Sequence, residues 1–400
     1  PESNIYFFTT SFHTELLKLC PLIKGIFSYP RASLHSIISD GKLEFSAKFG
    51  ALERSLAQCR QIEYDRIFNF NSSPESAALA SYFARGDYTK ISGLYIDADY
   101  NFKDKNPIWI YNSYCDLRKI YNPLSFNKSV ELFSMNARKN NCGYLEISEE
   151  LKVRTYAKLK NAGINFDSRF AVFQLGASMA VRRWQKNEII EFAKYINSKY
   201  ENPILCIGSP VESEYLDSII NAGSLKAINL SKVLDLQESV CLLARSSFLL
   251  TMNTYSLHCA AIFDIPYLCL EFSDLYLPAG GEKAIVYYNE SLTAGDVIKV
   301  YKYFFEKDND IEINAVVGRI LRFNSNSYNN FEYVNWTPDT VEFYSILEGL
   351  IFNTAYFDAF EISGAVDERS IKHFIEYNGG LSVSVREKLR ELSEKINADL

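Results

Sequence analysis

The stretch Leu249–Leu270, LLTMNTYSLHCAAIFDIPYLCL, reads in three pieces. An apolar run ends at Met252, then come Asn253, Thr254, Tyr255 and Ser256, and a second apolar run carrying His258 begins. SFLLTM reads as a strand, YSLHCAAIF as a helix and PYLCLEF as a further strand, so the four polar residues form a strand-to-helix turn. In a parallel sheet such turns sit at the carboxyl ends of strands, where ligands bind. A helix N-terminus there offers free N–H groups and a partial positive charge, which suit phosphate. Two readings stand: a diphosphate cradle with Thr254 and Ser256 as hydroxyl donors, or a plain helix cap with His258 as a satisfied core imidazole.

Outward from this stretch the alternation repeats. RFAVFQLG (169–176) and PILCIGS (203–209) read as strands. QKNEIIEFAKYINSKY, ESEYLDSIINA and LQESVCLLARS read as helices, the first with Ile189, Ile190, Phe192, Ala193 and Ile196 on one face. Upstream, NIYFFTT, CPLIKGIFSY, YDRIFNFN and KISGLYI are strand-like. FHTELLKLC, LEFSAKFGALERSLAQCRQI and SPESAALASYFA are helical, the last opened by Ser73 and Pro74. Residues from about 100 to 150 read as a connecting region plus a helix. Strands alternating with helices point to parallel sheets covered on both faces, in an α/β chain of two Rossmann-like halves. Beyond residue 300 the pattern turns helical in AGDVIKVYKYFFEK, DTVEFYSILEGLIFNTAYFDAFEI and VSVREKLRELSEKINADL. Thr293 and Asp296 resemble a capping box at the first of these.

Composition narrows the function classes. The chain has 400 residues, 48% apolar and 23% charged, enough for a sizeable core. Its net charge of −7 gives no general support for nucleic-acid binding. The 27 Tyr and 28 Phe fit an aromatic-rich core or a carbohydrate-stacking surface. Eight cysteines without a CxxC pair, and without His at ligand spacing, argue against a zinc site or a disulfide framework and for a reducing compartment. No apolar run reaches membrane-spanning length, and no signal peptide is read. Two further segments are strand–turn–helix units like the opening one. In QLGASMAVRRWQKNEI, Gly176 and Ser178 fit a phosphate-approach turn, Arg182 and Arg183 could neutralise a diphosphate, and Trp184 could pack on the domain. In CIGSPVESEYL, Gly208 ends a strand and Glu212 opens a helix, either as a favourable N-terminal charge or as an acceptor for a ribose.

Together these three segments resemble glycosyltransferase family 9, which contains the ADP-heptose:lipopolysaccharide heptosyltransferases of GT-B architecture. The family shows strand-Gly-Ala-Ser and a basic residue two before Trp, as in Gly176-Ala177-Ser178 and Arg182-Arg183-Trp184. It then shows strand-Gly-x-x-x-Glu, matched by Gly208 and Glu212, and Asn-Asp-Thr-Gly-Pro-x-His-x-Ala-Ala, matched by Met252 to Ala261. Asn253 stands where the family has Asp, and Tyr255 where it has Gly.

The resemblance spans roughly residues 4–305. It implies an N-terminal acceptor-side domain over 1–150 without its first strand–helix unit, a nucleotide-sugar-binding domain over 151–305, and a helical extension over 306–400 that returns toward the first domain. It implies a nucleotide-sugar site of Gly176, Ser178, Arg182, Gly208, Glu212, Asn253, Thr254, Tyr255, Ser256 and His258. The reaction implied is inverting transfer of a sugar, such as heptose from ADP-heptose, to a glycan, lipopolysaccharide or protein hydroxyl. No metal or cofactor is called for, since Arg182 and backbone amides can balance the leaving diphosphate. The implied setting is cytoplasmic, at the inner face of the membrane, with peripheral association. The family's general base is the Asp of a Gly-Asp turn in that first unit, so no catalytic residue is assigned. A non-catalytic binding or assembly protein and a nucleotide-sugar epimerase are the alternatives.

Overall fold

The computed structural model describes residues 4–10, 14–29, 36–37, 40, 42, 44–71, 73–104, 145–165, 168–176, 183–252, 254–271, 283–287, 292–308, 310–311, 319–323, 331–333 and 362–363. These fall into two compact units, one of Pro1–Asn106, Gly143–Ser148 and Glu361–Ala365, the other of Pro107–Cys142, Glu149–Phe360 and Val366–Leu400.

The first unit holds strands β1 (Ile5–Thr10), β2 (Ile23–Tyr29), β3 (Ile67–Asn69), β4 (Ile91–Gly93), β5 (Tyr95–Ile96) and β6 (Phe102–Asp104). Its helices are α1 (Thr14–Leu17), α2 (Phe45–Arg60) and α3 (Pro74–Ala84). β1 pairs parallel with β2, and β3 with β4, each across an intervening helix as a β–α–β crossover requires. Among the described residues these are two separate two-stranded sheets rather than one. α3 begins where the sequence places it: Ser73 accepts from the Ser76 amide at 3.2 Å, and Pro74 follows at the first helical position.

The second unit is built on one sheet. Its parallel strands are β7 (Ala171–Gln174), β8 (Ile204–Ile207), β9 (Ala227–Asn229), β10 (Phe248–Thr251), β11 (Tyr267–Glu271) and β12 (Lys283–Tyr287). The helices are α4 (Glu149–Asn161), α5 (Lys186–Asn197), α6 (Ser213–Gly223), α7 (Leu236–Leu243), α8 (Tyr255–Ile262) and α9 (Ala294–Tyr301). Strands β7, β8, β10 and the described side chains of β11 are apolar runs buried on both faces, apart from the polar last residues of β7 and β10, as a covered parallel sheet demands. The order β12-β11-β10-β7-β8-β9 is that of a doubly wound dinucleotide-type sheet.

α5 buries the five residues that its periodicity puts on one face. Phe192 stacks on Phe173 at 6.0 Å and meets Trp184 edge-on, while Tyr301 of α9 lies 4.9 Å from Phe248. Each such fully buried ring contributes about 2–3 kcal/mol of apolar burial. The Thr293–Asp296 capping box is present, with Thr293 accepting from the Asp296 amide at 3.2 Å.

The segment after residue 306 differs from its expected helical character. Its described residues form strands β13 (Arg319–Phe323), β14 (Phe331–Tyr333) and β15 (Ile362–Ser363). β13 adds antiparallel to β12 and β14 to β13, which satisfies the backbone groups that the edge of β12 would leave unpaired. β15 pairs with β6, so the chain re-enters the first unit at Glu361–Ala365. Of the helix expected over 339–362 only Ile362 is described, and it lies in β15; the helix expected over 383–400 lies outside the described residues. β9, β12 and α4 are elements that the sequence pattern did not single out.

The described cysteines Cys20, Cys59, Cys206, Cys241, Cys259 and Cys269 are free thiols. Among the described residues no helix is long and apolar enough to cross a membrane.

α4 is tied to α7 by charge. The fully buried Glu238 lies 2.7 Å from Lys158 Nζ and 3.0 Å from Arg154 Nε, and it also accepts from the Asp235 amide at 2.8 Å. Burial works against ionisation of Glu238, but its bonds to Lys158 and the Asp235 amide outweigh it and hold the carboxyl below its usual range. A depressed carboxyl stabilises the fold above its unfolded value, and the contribution vanishes as pH falls through the folded one. Glu238→Ala is therefore expected to cost about 1–3 kcal/mol in urea denaturation at pH 7. The deficit against wild type should shrink in acid. An equal deficit at pH 7 and pH 3 would contradict the ionic role.

Candidate functional site

The strand order reverses between β7 and β10. β7 continues through α5 to β8 on one side, and β10 through α8 to β11 on the other. Two turns thus leave neighbouring strands at the carboxyl edge and diverge, which opens a crevice there. The β7–β10 ladder pairs Phe248 with Ala171, Leu249 with Val172, Leu250 with Phe173, and finally Thr251 with Gln174. Three apolar rungs end in one polar rung at the ligand-facing edge.

Gln174, which sequence reasoning did not pick out, organises this edge. Its amide is buried, with Nε2 donating to the Gly176 carbonyl at 2.9 Å. Oε1 accepts from Thr254 Oγ1 at 2.9 Å and from Thr251 Oγ1 at 3.1 Å. Thr251 also reaches the Met252 carbonyl at 2.7 Å. Thr254 Oγ1 and Ser256 Oγ are 3.0 Å apart. The Thr254 proton is on Gln174, so Ser256 donates to Thr254. The only sequence signal for this cluster was a glutamine inside an otherwise apolar strand.

The expected hydroxyl donors are thus turned inward, and Ser256 is wholly buried. Thr254 sits at the N-cap position of α8 in extended conformation, yet its side chain makes no capping bond. Thr254 thus leaves the Ser256 amide uncapped by its side chain, while the Leu257 amide donates to the Thr254 carbonyl at 3.1 Å. Neither reading from the sequence holds in its simple form: the hydroxyls neither point outward nor cap.

Glu212 occupies the next turn, after β8. Its Oε2 accepts from the Ser209 amide and Oγ, both at 2.7 Å, which closes a capping box at the 3₁₀ turn Pro210–Glu212 that leads into α6. The helix-opening role is therefore met. Its other oxygen lies against Gly176: a Cβ there would fall inside the carboxylate, and one at Gly208 would approach Oε2 to 3.0 Å. The two glycines make room for one carboxylate at the carboxyl ends of two adjacent strands. Gln174 in turn links Gly176 to Thr254.

Tyr255, at the first helical position, is partly exposed; burial chiefly raises its phenol, with Cys259 and Glu212 adding to the effect and bonds to Ser239 and Ser256 opposing it. It therefore stays a neutral donor. Burial lowers the His258 imidazole, so His258 is neutral near pH 7 and supplies no positive charge to a phosphate. Ser178, Arg182 and Asn253 lie outside the described residues. Arg183 stacks over the Tyr215 ring at 4.5 Å and faces α6. Trp184 is buried and donates to the Leu292 carbonyl at 3.0 Å, packing as expected. Among the described residues no group of three or more His, Cys, Asp or Glu converges as a metal site would.

The model of glycosyltransferase family 9 (heptosyltransferase) matches residues 50–270. No curated protein matches the chain. Two solved structures share its fold. The glycosyl transferase family 9 protein of Veillonella parvula DSM 2008 has a TM-score of 0.52 at 14% identity, over 79% of this chain and 83% of its own. The ADP-heptose lps heptosyltransferase II of E. coli has a TM-score of 0.52 at 17% identity, over 77% of this chain and 91% of its own. The GT-B fold expected from the sequence is the fold of this chain.

The contact of Glu212 with Gly176 yields a stability prediction. Gly176→Ala displaces the carboxylate from its capping geometry, at a cost of about 0.5–2 kcal/mol, the usual range for a lost cap. Glu212→Ala loses the same cap. The double variant is expected to fall short of the sum in chemical denaturation, because both changes act on one contact. Strict additivity would show that the two residues do not communicate.

Proposed function

The chain belongs to glycosyltransferase family 9, and from that premise we propose that its second unit binds a nucleoside-diphosphate sugar at the carboxyl edge of β7, β8 and β10. The observation that carries this reading is the meeting of Gly176, Glu212 and Thr254 at the point where the strand order reverses. The open amide end of α8 suits the diphosphate, since its N–H groups and helix dipole favour negative charge. Glu212 Oε1 suits a ribose hydroxyl: with Oε2 committed to Ser209, it makes no hydrogen bond to another described residue. Glycines at 176 and 208 let ligand and carboxylate approach the backbone closely.

The reaction proposed is transfer of the sugar, with inversion, to a hydroxyl of a glycan, lipopolysaccharide or protein acceptor. A base deprotonates the acceptor oxygen, which attacks the anomeric carbon in line as the diphosphate departs. The α8 amides and Arg182 stabilise the charge that develops on the leaving group, with no metal called for. An ADP-heptose donor is the specific expectation. Asn253 presents one neutral acceptor and an NH₂ where the family pattern has a carboxylate, so its contact with a sugar hydroxyl is weaker by about 1–2 kcal/mol.

The test is calorimetric titration with ADP, UDP and GDP, followed by transfer assays with ADP-heptose. ADP is expected to bind best. Glu212→Gln is expected to weaken it about tenfold, and Asn253→Asp to raise the rate with ADP-heptose. Absence of binding by every nucleoside diphosphate would overturn the reading.

A further inference from the structure

We propose that Gln174 is a positioning residue that keeps the N-terminus of α8 open for an anion by holding the Thr254 hydroxyl away from it. The proposal rests on the donor-site reading of this turn. The other three residues of β7 are apolar and buried, and Leu at position 174 would pack there without the desolvation cost of an amide. The cost is offset by the Gly176 carbonyl and by the hydroxyls of Thr251, at the end of β10, and Thr254.

The two ends of the amide are chemically distinct: Nε2 only donates and Oε1 only accepts. The Gly176 carbonyl can only accept, so it selects Nε2 at 2.9 Å and aims Oε1 at the hydroxyls of Thr251 and Thr254. Thr251 has a second acceptor in the Met252 carbonyl at 2.7 Å and does not depend on Gln174. Thr254 is the residue whose hydroxyl direction Gln174 sets.

Thr254 occupies the N-cap position, where a threonine ordinarily turns its oxygen onto the second or third helical amide. That bond would place a protein oxygen where a phosphate oxygen would otherwise sit. Here the capping bond is not made, because the hydroxyl lies 2.9 Å from Gln174 Oε1 instead. Ser256, whose proton goes to Thr254, is drawn into the same inward arrangement. Among the described residues, the Ser256 amide of α8 is left without a side-chain competitor, while the Leu257 amide donates to the Thr254 carbonyl at 3.1 Å. Gln174 thus acts at one remove from any ligand.

The experiment compares wild type, Gln174→Leu, Thr254→Val and the double variant by ADP titration and by hydrogen exchange of the Ser256 amide. Gln174→Leu frees Thr254 to cap the helix. Exchange of that amide should slow several-fold, and the ADP dissociation constant should rise about tenfold. Adding Thr254→Val removes the competing cap, so both effects should reverse, and a merely structural glutamine would not be rescued by a second loss. Faster or unchanged exchange in Gln174→Leu, or no recovery in the double variant, overturns the proposal. If wild type binds no nucleoside diphosphate, the donor reading fails, while the exchange measurements still decide whether Gln174 governs the cap.

Discussion

The parallel ladder between β7 and β10 is the constraint on which the second unit depends. Its apolar rungs join the two halves of the sheet. Its last rung, Thr251 against Gln174, is where the chain stops being core and starts being site. Because the crossovers on either side run in opposite directions, the turns above this rung leave it in two directions. The polar bridge through Gln174 is what holds them in register. Loss of the ladder would separate Gly176 from Thr254 and leave two ordinary helix starts.

Around that point the protein spends few charges. Glu212 is engaged by Ser209 and lodged between two glycines, so its carboxylate is held without an opposing cation among its hydrogen bonds. His258 is kept neutral by burial, and Tyr255 stays protonated. Under the proposed donor site, attraction for an anion rests on the α8 amides. A firmly paired carboxylate of this unit, Glu238, lies elsewhere and fastens α4 to α7. Charge that stabilises the fold and charge that would meet a ligand sit on different elements.

The departure from the family pattern at Tyr255 leaves the start of α8 helical. Tyr255 begins the helix despite its bulk, its phenol bonding to Ser239 and Ser256. The close approach in this chain is made instead at Gly176 and Gly208, where no side chain could stand beside Glu212.

The amino-acid order by itself determined the α/β alternation, since buried parallel strands must be short apolar runs and α5 must show its apolar face at helical spacing. It determined the caps at Ser73 and Thr293, which are local, and it marked Gly176, Gly208, Glu212 and Thr254 as turn residues. Elements with weak local signals were not determined this way. β9 is three half-buried residues, and β13 is a strand because the edge of β12 offers a partner. Only the tertiary structure decided which turns meet. Gln174 and Thr254 are 80 positions apart, and one glutamine amide bridges them because strand pairing sets β7 beside β10. The direction of the Thr254 hydroxyl depends on an acceptor supplied by a distant strand, which no periodicity or spacing along the chain encodes.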